Sequence, residues 1–307
     1  MSLSGLLLDD AVANVSASAL AEESSSSGAM PFEELPDFIQ HHIADGGLVE
    51  FMGFHVDVSK LHLPSFQLAG MTIDLTPTRH LVFMIAAALL CLIVFIPMAR
   101  SAVRRDPSKA PSGFSNAMEA LILYFRDEVV RRNIGHGADG YTPFILTIFF
   151  FIWFMNLLGL TPLGVTATGN LSVTAALALI AFVATEIAGM RALGPAGYAS
   201  TIFYIPKGLP NGLKPVMLLI MTPVEFAGKL TKPFALAVRL FANMMAGHTL
   251  ILAVLGLIFV YQGFGIATGS VLIVTVIMVL ELFVATLQAY IFAMLTSVFI
   301  GLIRHAH

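Results

Sequence analysis

The sequence has little charge for its length. Lys, Arg, Asp and Glu together make up 11% of its 307 residues, whereas a soluble domain carries about 25%. The mean hydropathy is +0.87. These values exclude an ordinary water-soluble enzyme and indicate a polytopic membrane protein. Cysteine is also scarce, because Cys91 is the single one. An intrachain disulfide is therefore impossible, and a metal–thiolate site is not expected.

Basic residues are missing from the beginning of the chain. Residues 1–59 contain ten acidic and no basic side chains, a net charge of −10, whereas residues 60–307 contain sixteen basic and nine acidic ones, a net charge of +7. The basic residues do not form one stripe interleaved with aromatic side chains. Nucleic-acid binding is therefore excluded as a function.

This asymmetry predicts two regions. Residues 1–75 are expected to form an acidic extracytoplasmic segment, flexible around the Ser24–Ser27 run. Within that segment, Phe32–Leu48 is compatible with a short surface helix and Phe51–Phe66 with extended chain. Residues 76–307 are expected to form the membrane domain.

Long runs without charge predict five membrane crossings. Leu81–Ala99 has nineteen uncharged residues, close to the ~20 that cross the hydrocarbon as a helix. Gly140–Thr185 and Leu240–Leu280 extend for 46 and 41 residues without Lys, Arg, Asp or Glu, which is too long for one crossing each. Breaks rich in Gly or Pro, at Thr161–Asn170 and Gly263–Gly269, divide each run into two helices. We therefore predict an all-α fold, whose last two helices are long enough to require strong tilt or extension beyond the bilayer.

Two segments between the crossings have different patterns. Phe114–Arg132 alternates apolar and charged residues at helical spacing, which is typical of an amphipathic helix at the membrane interface. A soluble helix packed on a partner is the alternative. A loop rich in Gly and Pro is expected over Gly194–Pro215. The basic residues that follow Ala99 place that end of the first crossing in the cytoplasm.

Ionisable side chains at membrane depth are costly and indicate ion pathways. Lys229 and Lys232 are early enough in their helix to reach the cytoplasmic interface. Glu225 either pairs with Lys229, four residues later, or belongs to a pathway. Arg239 stays protonated, so at its depth it requires water or an acid beside it. The full set of candidates is Glu186, Glu225, Lys229, Lys232, Arg239, His248 and Glu281.

Helical spacing relates several of these positions. Asn243 is four residues after Arg239 and therefore shares its face. Glu281 and Gln288 are seven residues apart, within about 20° on one face. If the last two helices are antiparallel, His248 and Glu281 reach similar depth and can pair. Histidine titrates near neutral pH, which suits a proton relay, although a buried core histidine is the simpler interpretation.

Three stretches together resemble subunit a of F-type ATP synthases. The first is EFAGKLTKP at 225–233 followed by RLFANMMAGH at 239–248. The second is Glu281 followed by TLQAYIF at 286–292, and the third is YTPF at 141–144 with FMNLLGLTP at 154–162. The resemblance covers about residues 76–303, and the motif around Arg239 is highly specific. The acidic, serine-rich beginning lies outside it.

The resemblance implies a proton-conducting stator subunit beside a rotating ring of c subunits. It would be embedded in lipid, attached to peripheral-stalk b subunits and other synthase subunits, and would itself be neither catalytic nor cofactor-bound. Arg239 would face the ring carboxylate, with Asn243 and Gln288 lining that contact. His248 and Glu281 would belong to the extracytoplasmic half-channel, and Glu225 to the cytoplasmic one.

The same resemblance implies a location and a coupled pair. Many bacterial members have an acid at the position of His248 and a histidine at that of Glu281, so the pair is reversed here, as in the mitochondrial branch. A bacterial inner membrane is favoured over a mitochondrial one, with the N-terminus outside and the C-terminus in the cytoplasm. Whether H⁺ or Na⁺ is the coupling ion stays open, because the ring supplies the ion-binding site.

The sequence argues against two other classes of membrane protein. A secondary transporter commonly has internal repeats, and the chain has no visible repeat. An intramembrane hydrolase requires a nucleophile–base set, paired acids or a metal motif such as HExxH, and HExxH is missing.

Overall fold

Phe32–Leu48 was expected to contain a short helix, and it does. A computed structural model describes residues 30–43, 48–51, 54–57, 66–68, 71–73, 78–105, 113–161, 166–203 and 214–305. Helix α1, Leu35–Ile43, follows a 3₁₀ turn at Phe32–Glu34. The Ser24–Ser27 run lies outside the described residues.

Two short antiparallel hairpins follow α1. Strand β1 (Leu48–Phe51) pairs with β2 (Phe54–Asp57), and β3 (Phe66–Leu68) pairs with β4 (Met71–Ile73). Apolar and β-branched residues are frequent in these strands, which favours pairing of extended chain. The all-α prediction is confirmed for the membrane domain, and these hairpins precede it.

Six longer helices form most of the rest of the described chain: α2 (Arg79–Arg104), α3 (Phe114–Tyr124), α4 (Thr142–Gly159), α5 (Leu171–Ile202), α6 (Lys214–Tyr261) and α7 (Phe264–Arg304). Five of them, all except α3, are long and apolar enough to cross a membrane, which confirms the predicted number of spans. Helices α6 and α7 contain 48 and 41 residues, about 72 and 62 Å at 1.5 Å per residue. Each is therefore about twice the ~30 Å hydrocarbon thickness, as expected.

The helical segment that starts with α3 has a buried face on its continuation beyond Tyr124. A π-helical turn at Phe125–Arg131 and a last turn at Arg132–Ile134 continue it. Phe125 and Val129 are buried, Arg126 is half-buried, and the other charged residues of this stretch are exposed: Asp127, Glu128, Arg131 and Arg132. The amphipathic helix is thus confirmed, and its place at the membrane interface stays a prediction.

An ion pair fixes the turn that follows α3. Arg131 donates two hydrogen bonds to Asp139, at 2.8 and 3.0 Å. These hydrogen bonds, with the positive charge of the guanidinium, lower the pKa of the Asp139 carboxyl. Asp127, on the π-helical turn, also has a lowered pKa, chiefly through its hydrogen bond from Arg126.

The prediction of a loop over Gly194–Pro215 is wrong in its first part, where the chain is helical. Gly194 adopts φ +70°, a conformation that other residues rarely take, and this interrupts α5. Pro195 then starts another helical stretch, where its fixed φ and missing N–H are tolerated. The chain is helical again as far as Ile202, and residues 204–213 lie outside the described part.

The described residues form two compact units. One contains residues 30–43 and 245–281, and the other contains residues 48–244 and 282–305. In the first unit, the backbone N–H of Met30 donates to the carbonyl of Phe259, near the end of α6, at 3.1 Å. Leu35 is buried there against Gly256.

In the second unit, α7 packs against α4 and against the π-helical turn that follows α3. The Ser297 hydroxyl donates to the carbonyl of Val129 at 3.1 Å. The fully buried Asn156 of α4 donates to the carbonyl of Ala285 at 3.1 Å and accepts from Thr168 at 2.7 Å. These bonds satisfy polar groups that would otherwise be costly to bury.

Candidate functional site

His248 and Glu281 are in direct contact in the first unit. Nδ1 of His248 lies 3.3 Å from Oε1 of Glu281. The side chain of Glu281 is 4% exposed and that of His248 is 12% exposed. The structure thus brings together two residues that the depth argument predicted to meet.

Each of the two side chains keeps one polar atom that this contact does not satisfy. Nε2 of His248 and Oε2 of Glu281 are buried and have no hydrogen-bond partner among the described residues. A buried carboxylate without a second partner is costly unless a positive charge or a proton compensates it. The imidazole can supply either, because its two ring nitrogens can both carry a proton.

Gly247 makes room for the Glu281 carboxylate. A Cβ at position 247 would overlap Oε1 and the carboxyl carbon of Glu281. A glycine next to His248 therefore permits the close approach of α7 to α6 at this position.

Arg239 lies in the second unit with its side chain exposed. Leu236, Ala237 and Leu240 on the same helix are buried, so Arg239 lies beside a buried face while its own side chain is uncovered. Within the described part of the chain, no carboxylate lies within 4.0 Å of its guanidinium. Asn243 is half-buried one turn later. A permanent positive charge is thus presented outward from an apolar helix.

Gln288 is buried on α7, in the second unit. No hydrogen bond between Gln288 and either Arg239 or Asn243 occurs in the described residues. Among the described residues these three side chains are therefore not hydrogen-bonded to one another, and their role in one contact stays a prediction.

A second charged cluster surrounds Lys229. Its Nζ lies 3.3 Å from Oε2 of Glu186 and 3.1 Å from Oγ1 of Thr201. The Tyr198 hydroxyl donates to the same Oε2 of Glu186, and the Lys229 ammonium stands 4.4 Å from the centroid of the Tyr198 ring. Lys229 and Glu186 are 15% and 13% exposed.

The alternative in which Glu225 pairs with Lys229 is not found in the structure, because the partner of Lys229 is Glu186, 43 residues away. That the Lys229 ammonium reaches the cytoplasmic interface stays a prediction. Glu186 was recognised as an ionisable residue at depth, but no local spacing relates it to Lys229. Only the packing of α5 beside α6 brings them together.

A cavity of about 1390 Å³ lies beside this cluster. Helices α5, α6 and α7 contribute to its wall, and four charged residues line it: Glu186, Glu225, Lys229 and Lys232. Among the described residues Glu225 has no ion pair. A cavity of this size with four charged side chains has the volume and polarity to admit water.

Sequence comparison identifies the family. A family model described as ATP synthase A chain matches residues 81–301. The chain belongs to the ATP synthase A chain family. It is 45% identical over 262 residues to ATP synthase subunit a of Chloroherpeton thalassium, which covers 85% of this chain and 75% of the relative. The subunit a of Pelodictyon phaeoclathratiforme is 42% identical over 295 residues, which covers 95% and 83%.

The match to the ATP synthase A chain family includes every candidate site residue named above, because all of them lie between residues 81 and 301. Residues 1–80, including the acidic beginning, lie outside the family match. The ATP synthase subunit a of Anaeromyxobacter dehalogenans strain 2CP-C is also 45% identical, over 285 residues, with coverage of 89% of this chain and 72% of the relative.

Proposed function

We propose that this chain is the proton-conducting stator subunit of the membrane sector of an F-type ATP synthase. The observation that carries the proposal is Arg239, a permanent cation exposed on an apolar helix without a described acid partner. Such a charge in hydrocarbon requires water or a carboxylate from another chain. A carboxylate on each c subunit of a rotating ring fits that requirement, with Asn243 and Gln288 lining the contact.

His248 and Glu281 are assigned to the half-channel that opens to the extracytoplasmic side. Their 3.3 Å contact supports this assignment, as do the unsatisfied atoms Nε2 and Oε2. Each of these atoms can take or give a proton to water or to the ring. The reversed order of acid and histidine, relative to many bacterial members, favours a pair that works together.

Glu225 is assigned to the half-channel that opens to the cytoplasm. The cavity of about 1390 Å³ that it lines supports this assignment. A proton released by a ring carboxylate would pass to water in this cavity and to Glu225. Carboxylates exchange protons with water readily when they are hydrated and not paired with a cation.

In this proposal, the charge of the ring carboxylates and of Arg239 couples proton flow to rotation. A proton from the extracytoplasmic half-channel neutralises a ring carboxylate, which can then rotate into lipid. A carboxylate arriving at Arg239 is held ionised and releases its proton toward the cytoplasm. Each proton that crosses supplies about 2.3 kcal/mol per 100 mV of membrane potential. Arg239 also repels protons, so it prevents a direct leak between the half-channels.

The proposed setting is the inner membrane of a bacterium. The N-terminal segment, residues 1–75, would be extracytoplasmic and the C-terminus cytoplasmic, in agreement with five crossings and the basic residues after Ala99. The partners would be the c-subunit ring, the peripheral-stalk b subunits, other synthase subunits and lipid. The chain itself would conduct protons without catalysing ATP formation.

Reconstitution separates this function from its rivals. The chain is incorporated into vesicles with and without a c-subunit ring, and proton flux is measured after a potential is applied. The stator function predicts flux only when the ring is present. A transporter or a hydrolase would need no rotating partner, so equal flux without the ring would overturn the proposal.

A further inference from the structure

We propose that Glu186 is a positioning residue that holds the Lys229 ammonium away from Glu225. Glu225 then stays free to take and release protons in the cytoplasmic half-channel. This inference rests on the proposed function and extends it to a carboxylate on a different helix.

Sequence spacing favours an ion pair between Glu225 and Lys229, but no such pair occurs in the part of the chain that the structure describes. A glutamate four residues before a lysine on a helix is well placed to form an ion pair. Lys229 follows Glu225 by four residues, yet its Nζ contacts Oε2 of Glu186 at 3.3 Å. Glu186 thus takes the cation that would otherwise belong to Glu225.

Two further contacts hold Lys229 in this position, and a third orients its partner Glu186. The ammonium donates to Thr201 at 3.1 Å and lies 4.4 Å from the centre of the Tyr198 ring. The Tyr198 hydroxyl donates to Oε2 of Glu186, so it orients the carboxylate that receives Lys229. An ion pair that is 15% and 13% exposed and hydrogen-bonded in this way is held far better than a surface pair.

The other lysine beside Glu225, Lys232, also has a partner. Lys232 lines the same cavity, and its ammonium lies 5.2 Å from the centroid of the Phe299 ring. The side chains that α7 contributes to the cavity carry no ionisable group: Thr296, Phe299, Leu302 and Ile303. Both lysines near Glu225 therefore have other partners.

The Glu186–Lys229 pair affects how readily Glu225 takes up a proton. An opposite charge within 4–6 Å of a carboxylate favours its ionised form, commonly by a factor of ten or more. If Lys229 paired with Glu225, protonation from the cytoplasm would become rarer and slower. The Glu186–Lys229 pair prevents that pairing while it keeps the charge of the cavity wall balanced.

The test uses the whole synthase in inverted vesicles and measures ATP-driven proton pumping as a function of pH on the cytoplasmic face. In Glu186→Gln the lysine loses its partner and can turn to Glu225. Pumping at pH 8 should fall about tenfold, and lower pH should partly restore it. In Glu186→Gln with Lys229→Gln, the freed cation is removed, so pumping should return to within about threefold of the original rate and pH profile.

A matched double variant provides the control. Glu186→Gln with Lys232→Gln removes a different lysine from the same cavity, and it should stay as slow as Glu186→Gln. Rates are expressed per assembled complex. If Glu186→Gln does not assemble, Glu186→Asp carries the test, because it keeps the charge but shortens its reach. Glu186→Asp should slow pumping less than Glu186→Gln does, and adding Lys229→Gln to it should restore the rate.

The outcomes separate this inference from the proposed function. Normal pumping by Glu186→Gln, or equal rescue by Lys229→Gln and Lys232→Gln, overturns the inference. Glu225→Gln is measured in the same assay as a reference. If Glu225→Gln pumps normally, the role of Glu225 in the proposed function fails. If Glu225→Gln is slow but Glu186→Gln is normal, only the positioning role of Glu186 fails.

Discussion

Nδ1 of His248 lies 3.3 Å from Oε1 of Glu281, although 33 residues separate the two side chains in the sequence. The contact joins α6 to α7, and both side chains are largely buried. A titratable pair of this kind is costly to bury and adds little to stability compared with apolar packing. Its presence in two helices that are long and apolar enough to cross a membrane therefore favours a role in proton movement.

Exchange of the two residues tests whether they work together. His248→Ala or Glu281→Ala should slow ATP-driven proton pumping strongly while the complex still assembles. His248→Glu combined with Glu281→His should recover more activity than either of these two single exchanges, because the pair is restored in the opposite order. Pumping and the amount of assembled complex are measured together. Losses that simply add, without recovery in the double variant, would show independent sites.

Gly247 offers a second test of the same contact. Gly247→Ala would place a methyl group against the Glu281 carboxylate, so the pair should separate and pumping should fall severalfold. Alanine is a better helix former than glycine by about 1 kcal/mol, so helix stability alone predicts the opposite effect. Gly269→Ala in α7 is the matched control, because an added Cβ there would meet nothing within 4 Å.

The comparison is made on pumping per assembled complex. Gly269→Ala should keep the original rate. Equal rates in Gly247→Ala and Gly269→Ala would mean that the close approach of Glu281 to Gly247 has no functional consequence.

Membrane sidedness provides a third prediction. In a variant with Cys91 replaced by serine, single cysteines are introduced at Ser101, after the first crossing, and at Phe264, near the hairpin tip. Both positions are exposed. A membrane-impermeant thiol reagent should label Ser101→Cys only from the cytoplasmic side and Phe264→Cys only from the other side of sealed vesicles. Labelling of both from one side would refute the proposed topology.

The membrane-spanning helices could be predicted from the sequence, because charged residues are excluded from the hydrocarbon along the whole length of a crossing. The runs around Leu81–Ala99 and Leu240–Leu280 therefore predicted helices that the structure contains. The continuation of α5 beyond Gly194 was missed, because Gly and Pro indicate an interruption without saying whether a helix resumes. Here Pro195 begins the next helical stretch.

Of the two polar contacts in the candidate site, the sequence predicted the one between His248 and Glu281 and missed the one between Lys229 and Glu186. His248 and Glu281 were predicted to meet, because a short hairpin between two long helices relates depth to sequence position. Lys229 and Glu186 lie on helices that are joined through a longer connection, so no count along the chain gives their register. Spacing therefore favoured Glu225 as the partner of Lys229, whereas packing of α5 beside α6 selected Glu186.

Substitution of Arg239 is the most direct test of the stator mechanism. Arg239→Lys keeps a charge but loses the planar set of donors, and lysine can lose its proton when it is desolvated. It should assemble and make no ATP from a proton gradient. Arg239→Ala removes the charge entirely, so protons should pass through the membrane sector without driving rotation.

The measurement is ATP synthesis by the complete Arg239→Ala synthase after an acid pulse, with proton flux through its membrane sector recorded in the same vesicles. The mechanism predicts passive proton flux and no ATP synthesis, because nothing then separates the two half-channels. Substantial ATP synthesis coupled to proton flow in Arg239→Ala would contradict it.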